Sequence, residues 1–384
     1  MRKTRLLGTF LAAALMPLAA SAQIKIGVTL SGTGPAASLG IVEKNVFELL
    51  PPAIQGTPVR IIVLDDASDG TRAVQNARKL TQEEKVDVLI GSTTTPGSLA
   101  ISEVAAESET PLLSMAAGAS IVDPVDKVRR WVFKPVHNDS MMVEAIVEHM
   151  AKAGVKSVGF IGFADATGEG YLKVLRPLAE KANIRIVGVE RFERTDTSVT
   201  AQVLKLVAAR PDAVLIAAFG TPAALPQVTL AERRYPGLIY QTHGVANNDF
   251  LRVAGKSAEG TYLPVGPLLV SDQLPASHPA RAKSLDIVAR YEQKFGAGSR
   301  NTFISNAYDA YLLAANAIPV AMAKAKPGTR EFRVALRDAL EQTREFAGTQ
   351  GVYNITPTDH VGLDRRSRTI VRIEGGTWKL VSEQ

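Results

Sequence analysis

The sequence predicts an α/β protein of two doubly wound units, each a parallel sheet with helices on both faces. Three observations point there. Short, continuously apolar, β-branched runs alternate with stretches whose apolar residues fall at helical spacing, the pattern of parallel strands covered on both sides. That alternation starts over after Trp131-Val132-Phe133-Lys134-Pro135. A chain of 384 residues also has room for two cores, at about 150 residues per domain. With 46% hydrophobic and 21% charged residues, it is too apolar for disorder and too varied for a fibre.

In chain order, Arg2, Lys3 and Arg5 precede an apolar run from Leu6 to Ala20, and Ala20-Ser21-Ala22 supplies a small-x-small cleavage site. Residues 1–22 therefore read as a secretory signal peptide, too short in its apolar part to span a membrane. Its removal lowers the net charge from +6 to +3, which leaves no case for nucleic acid or an anionic membrane as partner. The chain has no cysteine, which excludes disulfides, thiolate metal sites, a cysteine nucleophile and a lipoprotein anchor. An exported, cysteine-free chain is expected in a bacterial periplasm. The first unit follows as strands IKIGVTL from Ile24, VRIIVLDD from Val59, VDVLIGS from Val86 and PLLSMA from Pro111. Helices between them carry Ala73, Ala77 and Leu80, then Leu99, Ile101, Val104 and Ala105. The second unit opens with an amphipathic helix over 139–153, stopped by Gly154. Its strands begin at Ser157, Ile184, Ala213 and Leu238. Pro264, Pro267, Pro275 and Pro279 make 263–279 a crossover or linker. Helices over 279–296, 303–326 and 329–343 come next. A hairpin of TIVRIE and TWKLV about Gly375-Gly376 closes the chain.

Three loops at strand ends are candidate sites. Gly32-x-Gly34-x-x-Ala37 fits a loose dinucleotide fingerprint, with Asp65-Asp66 ending the next strand, but Pro35 removes an amide from the cradle. A plain loop supporting a small ligand is the other reading. Ser92-Thr93-Thr94-Thr95-Pro96 joins a strand end to a helix start, where hydroxyls and unpaired amides suit a carboxylate. One hydroxyl suffices for a cap; four in a row exceed it. Small residues from Ser114 to Ser120 allow close backbone approach. Catalytic constellations are absent: there is no G-x-S-x-G elbow, and the five histidines are scattered without H-E-x-x-H spacing. Adjacent Asp65 and Asp66 point to opposite faces of a strand, which argues against a carboxylate dyad. No enzyme, cofactor or metal is required.

These segments together resemble the type I periplasmic solute-binding proteins of the leucine/isoleucine/valine-binding class, which deliver ligand to an ABC transporter. IKIGVTLSGTGP, Asp65-Asp66, VDVLIGSTTTPGSLAISEVAAESETPLLS, RWVFKPVHND, GFADATGEGY, His243-Gly244-Val245 and FISNAYDAYLLAANAI carry the resemblance, over essentially the whole mature chain. It implies two lobes joined by three crossings, near 137–141, 264–268 and 346–352, with ligand in the cleft. The N-terminal lobe would be 23–138 plus 268–346, and the C-terminal lobe 139–267 plus 347–384. Carried over by position, a carboxylate-binding hydroxyl cluster falls on Thr93, Thr94 and Thr95, and a second carboxylate loop on Ala117, Ala119 and Ser120. Apolar and aromatic walls fall on Leu39 and Phe303. The departures matter more. His243 stands where amino-acid receptors have an acidic residue for the ligand's ammonium. Thr167 replaces an aromatic residue, and the position near Thr221 has lost its ring. A buried ammonium without counter-charge costs several kcal/mol. The expectation is therefore a monomeric receptor for a small organic carboxylate with an apolar or aromatic body, docking transiently on ABC permease subunits. A branched-chain amino acid receptor, a secreted nucleotide-dependent enzyme and a sensing subunit for a membrane kinase are the alternatives. His243 is expected to change charge between about pH 8 and 5.5.

Overall fold

The computed structural model describes residues 23–381; the expected signal peptide lies outside them. The first sheet contains β1 (Ile24–Leu30), β2 (Ala53–Ile54), β3 (Thr57–Asp65), β4 (Val88–Ile90), β5 (Leu112–Leu113) and β6 (Val132–Phe133), in the order β2-β3-β1-β4-β5-β6. All pairs are parallel except the short β2–β3 hairpin. Helices α1 (Ala37–Phe47), α2 (Gly70–Arg78) and α3 (Thr95–Glu107) connect its strands. The second sheet is built from β7 (Ser157–Phe163), β8 (Arg185–Phe192), β9 (Ala213–Ala217), β10 (Leu238–Gln241) and β11 (Tyr262–Val265). Its helices are α4 (Asp139–Lys152), α5 (Ala166–Lys181), α6 (Thr200–Ala208), α7 (Ala224–Glu232) and α8 (Asn248–Ala254). Then α9 (Arg281–Phe295), α10 (Phe303–Met322) and α11 (Arg330–Glu341) return to the first lobe, as does a small ribbon of β12 (Phe346–Ala347) and β13 (Val352–Tyr353). The closing hairpin, β14 (Thr369–Glu374) and β15 (Thr377–Leu380), completes a seven-stranded sheet of order β15-β14-β11-β10-β9-β7-β8.

Both units bury both faces of their sheets, as the continuous apolar runs require. In the second lobe, Phe160 and Leu215 pack with α4 and α5, while their neighbours Ile161 and Ile216 pack with α6, α7 and α8 on the other face. Gly375 and Gly376 both have positive φ, 58° and 69°, as a tight two-residue turn between twisted strands demands.

Three expectations shift. PLLSMA contributes only Leu112–Leu113 as strand, because beyond Ser114 the chain turns and Ser114 Oγ accepts from Ala116 N. Within the proline-rich 263–279, Leu263, Pro264 and Val265 belong to a strand. Pro264 sits beyond the single residue pair joining β11 to β10, and its register partner is Ile370 on β14. The third crossing comes later than 346–352. Asp309 accepts from Thr349 N, Thr349 Oγ1, Gln350 N and Tyr353 Oη. That clamp, with Phe133 stacked on His360 at 4.2 Å, ties this stretch to the first lobe. Tyr353, Ile355, Val361 and Leu363 accordingly pack in the first-lobe core, so the chain changes lobe after Leu363.

Candidate functional site

Loops beyond the carboxyl ends of strands in both sheets enclose one cavity, where open parallel sheets bind ligands. The first lobe contributes Leu39, Thr93, Thr95, residues 115–118, Val136, Phe303 and Asn306. The second contributes Thr167, Tyr171, Ala218, Phe219 and residues 242–244. The lobes are shut on it. Leu39 and Phe303, carried by first-lobe helices, pack in the second lobe's core with Phe219 and Val245. Thr302 N donates to Ala246 O across the cleft at 3.2 Å.

Of the residues singled out in the sequence, Leu39, Thr93, Thr95, Ala117, Thr167, His243 and Phe303 line the cavity. Thr94, Ala119, Ser120 and Thr221 do not. Thr94 is the N-cap of α3, its Oγ1 accepting from Gly97 N at 3.2 Å. Ala119 N turns toward Asp139, donating to Oδ1 at 3.1 Å, and Ser120 is exposed. Thr221 starts a short 3-10 turn beyond the wall, whereas Phe219, two residues earlier, lines the cavity. The second lobe has therefore kept an aromatic wall. The Arg194 guanidinium lies 4.6 Å from the Phe219 ring centroid and donates from Nε to Asp165 Oδ2 at 2.7 Å. Asp165 in turn caps α5 through Thr167 N.

Among the wall residues that the sequence reading did not single out are Tyr171, Phe219 and Asn306. Tyr171 lies one helical turn after Thr167, and Asn306 three residues after Phe303, spacings that put them on the same helix faces. That periodicity was the available signal. Phe219 was obscured by a two-residue error of position in a loop, where no periodicity applies.

The polar atoms of the cavity are almost all neutral donors or acceptors. No Asp, Glu, Lys or Arg lines it among the described residues. Thr93 Oγ1 is engaged within the protein, accepting from Ser31 N at 3.0 Å and lying 2.5 Å from Glu43 Oε2. Thr167 Oγ1 is buried without a hydrogen-bond partner, and Thr95 Oγ1 makes no hydrogen bond among the described residues. Thr95 is also the first residue of α3, where unpaired amides and the helix dipole favour an anion. Gly118 makes room for it: a Cβ there would stand 2.5 Å from Thr95 Cγ2.

His243 departs from expectation. Its Nδ1 lies 3.2 Å from Tyr171 Oη. Burial, aided by the nearby charges of His137 and Lys134, pushes it down to about 3. It stays neutral across the range in which an ordinary histidine titrates. Behind the wall, burial pulls Lys134 down to about 7, against the attraction of Asp139, Asp123 and Asp359. Its Nζ donates to Ala117 O at 2.7 Å and so fixes the second loop.

The Gly32–Gly34 loop is filled from within. Thr33 donates to Asp65 through N at 3.2 Å and through Oγ1 at 2.7 Å. Burial pushes the Asp65 carboxyl up, but hydrogen bonds from Thr33, Ala67 and Gly32 together outweigh it and hold Asp65 below the usual carboxylate range. An ionised carboxylate there repels a pyrophosphate, which removes the nucleotide reading. Asp66 turns inward instead, accepting from Ser31 Oγ and Ser92 Oγ, each at 2.7 Å.

A family model described as periplasmic binding protein matches residues 23–377. An extracellular ligand-binding receptor from Rhodopseudomonas palustris HaA2 is 47% identical, over 94% of this chain and 100% of that one, with a TM-score of 0.91. Two further structures share the fold. A branched-chain amino acid transporter substrate-binding protein from Streptococcus pneumoniae, in complex with isoleucine, is 21% identical over 93% of this chain and 98% of that one, with a TM-score of 0.77. An ABC transporter solute-binding protein from R. palustris, in complex with benzoate, is 20% identical over 94% and 95%, with a TM-score of 0.79. Glutamate receptor 2.4 of Arabidopsis thaliana is 28% identical over 145 residues, 37% of this chain and 16% of that receptor. The chain thus spans about a sixth of the length of that receptor.

Proposed function

Since the chain belongs to the periplasmic binding protein family, a family of solute-binding receptors and not enzymes, we propose that it is the receptor of an ABC importer for a small organic carboxylate with an apolar or aromatic body. One observation carries the ligand class: the cavity offers unpaired hydroxyls at Thr95, the first residue of α3, and at Thr167 of the second lobe, and no acidic side chain. A carboxylate gains hydrogen bonds and the favourable end of a helix dipole. An ammonium in the same closed cavity finds no counter-charge, because no carboxylate lines it and its acceptors are all uncharged. Phe219, Phe303, Tyr171 and Leu39 supply the apolar walls. Export through cleavage of residues 1–22, a monomeric state and transient docking on permease subunits complete the reading.

Thermal denaturation against benzoate, phenylacetate, leucine, isoleucine and valine tests it. A ligand bound only by the folded state raises stability by RT ln(1 + [L]/Kd). Stabilisation by the monocarboxylates and none by the amino acids is expected. Stabilisation by leucine or valine alone reverses the ligand class and leaves the receptor assignment standing.

A further inference from the structure

The cavity wall has a buried acid behind it. Glu43 of α1 is fully buried, does not line the cavity, and meets it only through Thr93. We infer that Glu43 is held as the neutral acid and thereby makes the Thr93 hydroxyl a donor toward the cleft, so that Glu43 selects a carboxylate without touching it. The inference rests on the ligand class proposed above.

A threonine hydroxyl has one proton and two acceptor positions. Ser31 N takes one acceptor position of Thr93 Oγ1 at 3.0 Å, and Glu43 Oε2 lies 2.5 Å away. Were Glu43 ionised, the Thr93 proton would have to go to it. A lone pair would then face the cleft and repel an anionic ligand. With Glu43 neutral, its own proton fills the second acceptor position of Thr93, and the Thr93 proton is left for the ligand. The two protonation states thus present opposite polarity to the cavity.

The surroundings favour the neutral state. Glu43 Oε1 is buried with no hydrogen-bond partner, a heavy penalty for a charged oxygen and a lighter one for the carbonyl of an acid. Among the described residues no Lys, Arg or His pairs with Glu43. Lys44 and Glu48 of the same helix are exposed. Lys25 of β1 is turned to Glu84 O. On α10, which packs against α1, Asp309 is engaged by Thr349, Gln350 and Tyr353, and neither Tyr308 nor Tyr311 hydrogen-bonds Glu43. The charged group that acts on it is Asp66, a like charge. Burial pushes the Glu43 carboxyl well above the usual range, the Thr93 hydrogen bond opposes this, and Asp66 adds to it.

Two measurements on the full mature chain test this. Infrared difference spectra between wild type and Glu43→Gln at neutral pH are expected to contain the carbonyl stretch of one protonated carboxylic acid, belonging to Glu43. Its absence overturns the inference. Calorimetry with benzoate as probe reads the consequence. Thr93→Val is expected to lose about tenfold in affinity, whereas Glu43→Gln, neutral at every pH and able to donate from its amide, stays within about threefold. Across an alkaline titration, wild-type affinity is expected to follow the intensity of the acid band, and Glu43→Gln affinity to stay level. Affinity that ignores the band, or Thr93→Val binding as tightly as wild type, overturns the role assigned to Glu43. A merely structural glutamate has no reason to tie affinity to its own protonation. Failure of benzoate and every other monocarboxylate to bind wild type refutes the ligand class instead, and the infrared arm still decides the state of Glu43.

Discussion

Replacing Thr95 with Val is the sharpest test of the anion site, because it removes one hydroxyl and almost nothing else. The side chain keeps its shape and its contact with Gly118. Thr95 Oγ1 has no partner among the described residues, so its loss leaves no other group unsatisfied. Hydrogen bonds to charged groups contribute about 1.5–3 kcal/mol. At about 1.4 kcal/mol per factor of ten, carboxylate affinity should fall about 10- to 150-fold, with stability little changed. Thr94→Val is the control from the neighbouring position. It removes the N-cap of α3, where Oγ1 accepts from Gly97 N, and should lower stability by about 1 kcal/mol with a much smaller effect on affinity. Isothermal calorimetry with benzoate, beside urea denaturation of both variants, separates the two roles. Undiminished binding by Thr95→Val together with a large loss in Thr94→Val would refute the placement of the carboxylate at Thr95.

Other consequences follow from the same geometry. Gly118→Ala puts a Cβ 2.5 Å from Thr95 Cγ2, so carboxylate affinity should fall by about tenfold while the melting temperature moves little; equal affinity by calorimetry shows that the loop yields. His137 and His243 are pushed down by burial to about 4 and about 3, while in the unfolded chain they titrate near about 6.5. The unfolded state then binds more protons below that pH, so stability is full above about 6.5 and is lost as pH falls toward about 4. Urea midpoints should show this slope, and a His243→Gln variant with an undiminished slope removes His243 from the account. Small-angle scattering should give a smaller radius of gyration with saturating benzoate, as hinge closure compacts two-lobed receptors; an unchanged profile with a bound ligand rejects closure.

Strands buried on both faces announce themselves as unbroken apolar runs, and Ile24, Val59, Ser157 and Ala213 each open one within a residue or two of where the structure starts it. Segments whose structure is set by distant partners were not legible. Nothing local to 349–363 shows that Asp309 will hold it on the first lobe, and Pro264 reads as a breaker until β14 arrives as its partner. The site behaves likewise. A run of hydroxyls from Ser92 to Thr95 points to the anion site proposed above, but which of them is free depends on long-range contacts. Ser92 is taken by Asp66 and Thr94 by its own helix, while Ser31 and Glu43 occupy two of the three hydrogen-bonding positions of the Thr93 hydroxyl. His243 could be placed at the cleft from its neighbours in sequence, whereas its lasting neutrality comes from burial by both lobes.

Binding an anion in a cavity that holds no cation is physically reasonable only when the cavity is closed and its dipoles are fixed beforehand. Water that would otherwise screen the α3 terminus and the free hydroxyls is excluded by the contacts of Leu39 and Phe303 with the second lobe, and electrostatic interactions strengthen as the local dielectric falls. Closure and recognition therefore depend on each other, and the structure joins them through one side chain. Asn306 faces the cavity, donates from Nδ2 to Met115 O at 3.1 Å, and accepts from Gln350 Nε2 at 3.0 Å. Gln350 lies beside Gly266 of the second crossing, which also abuts His137 of the first. The ring of His137 reaches Ser367 O of the third at 2.5 Å. A ligand that orders Asn306 thus acts on the point where all three crossings meet, and a hinge packed this tightly around one buried, neutral imidazole has few arrangements available between open and shut.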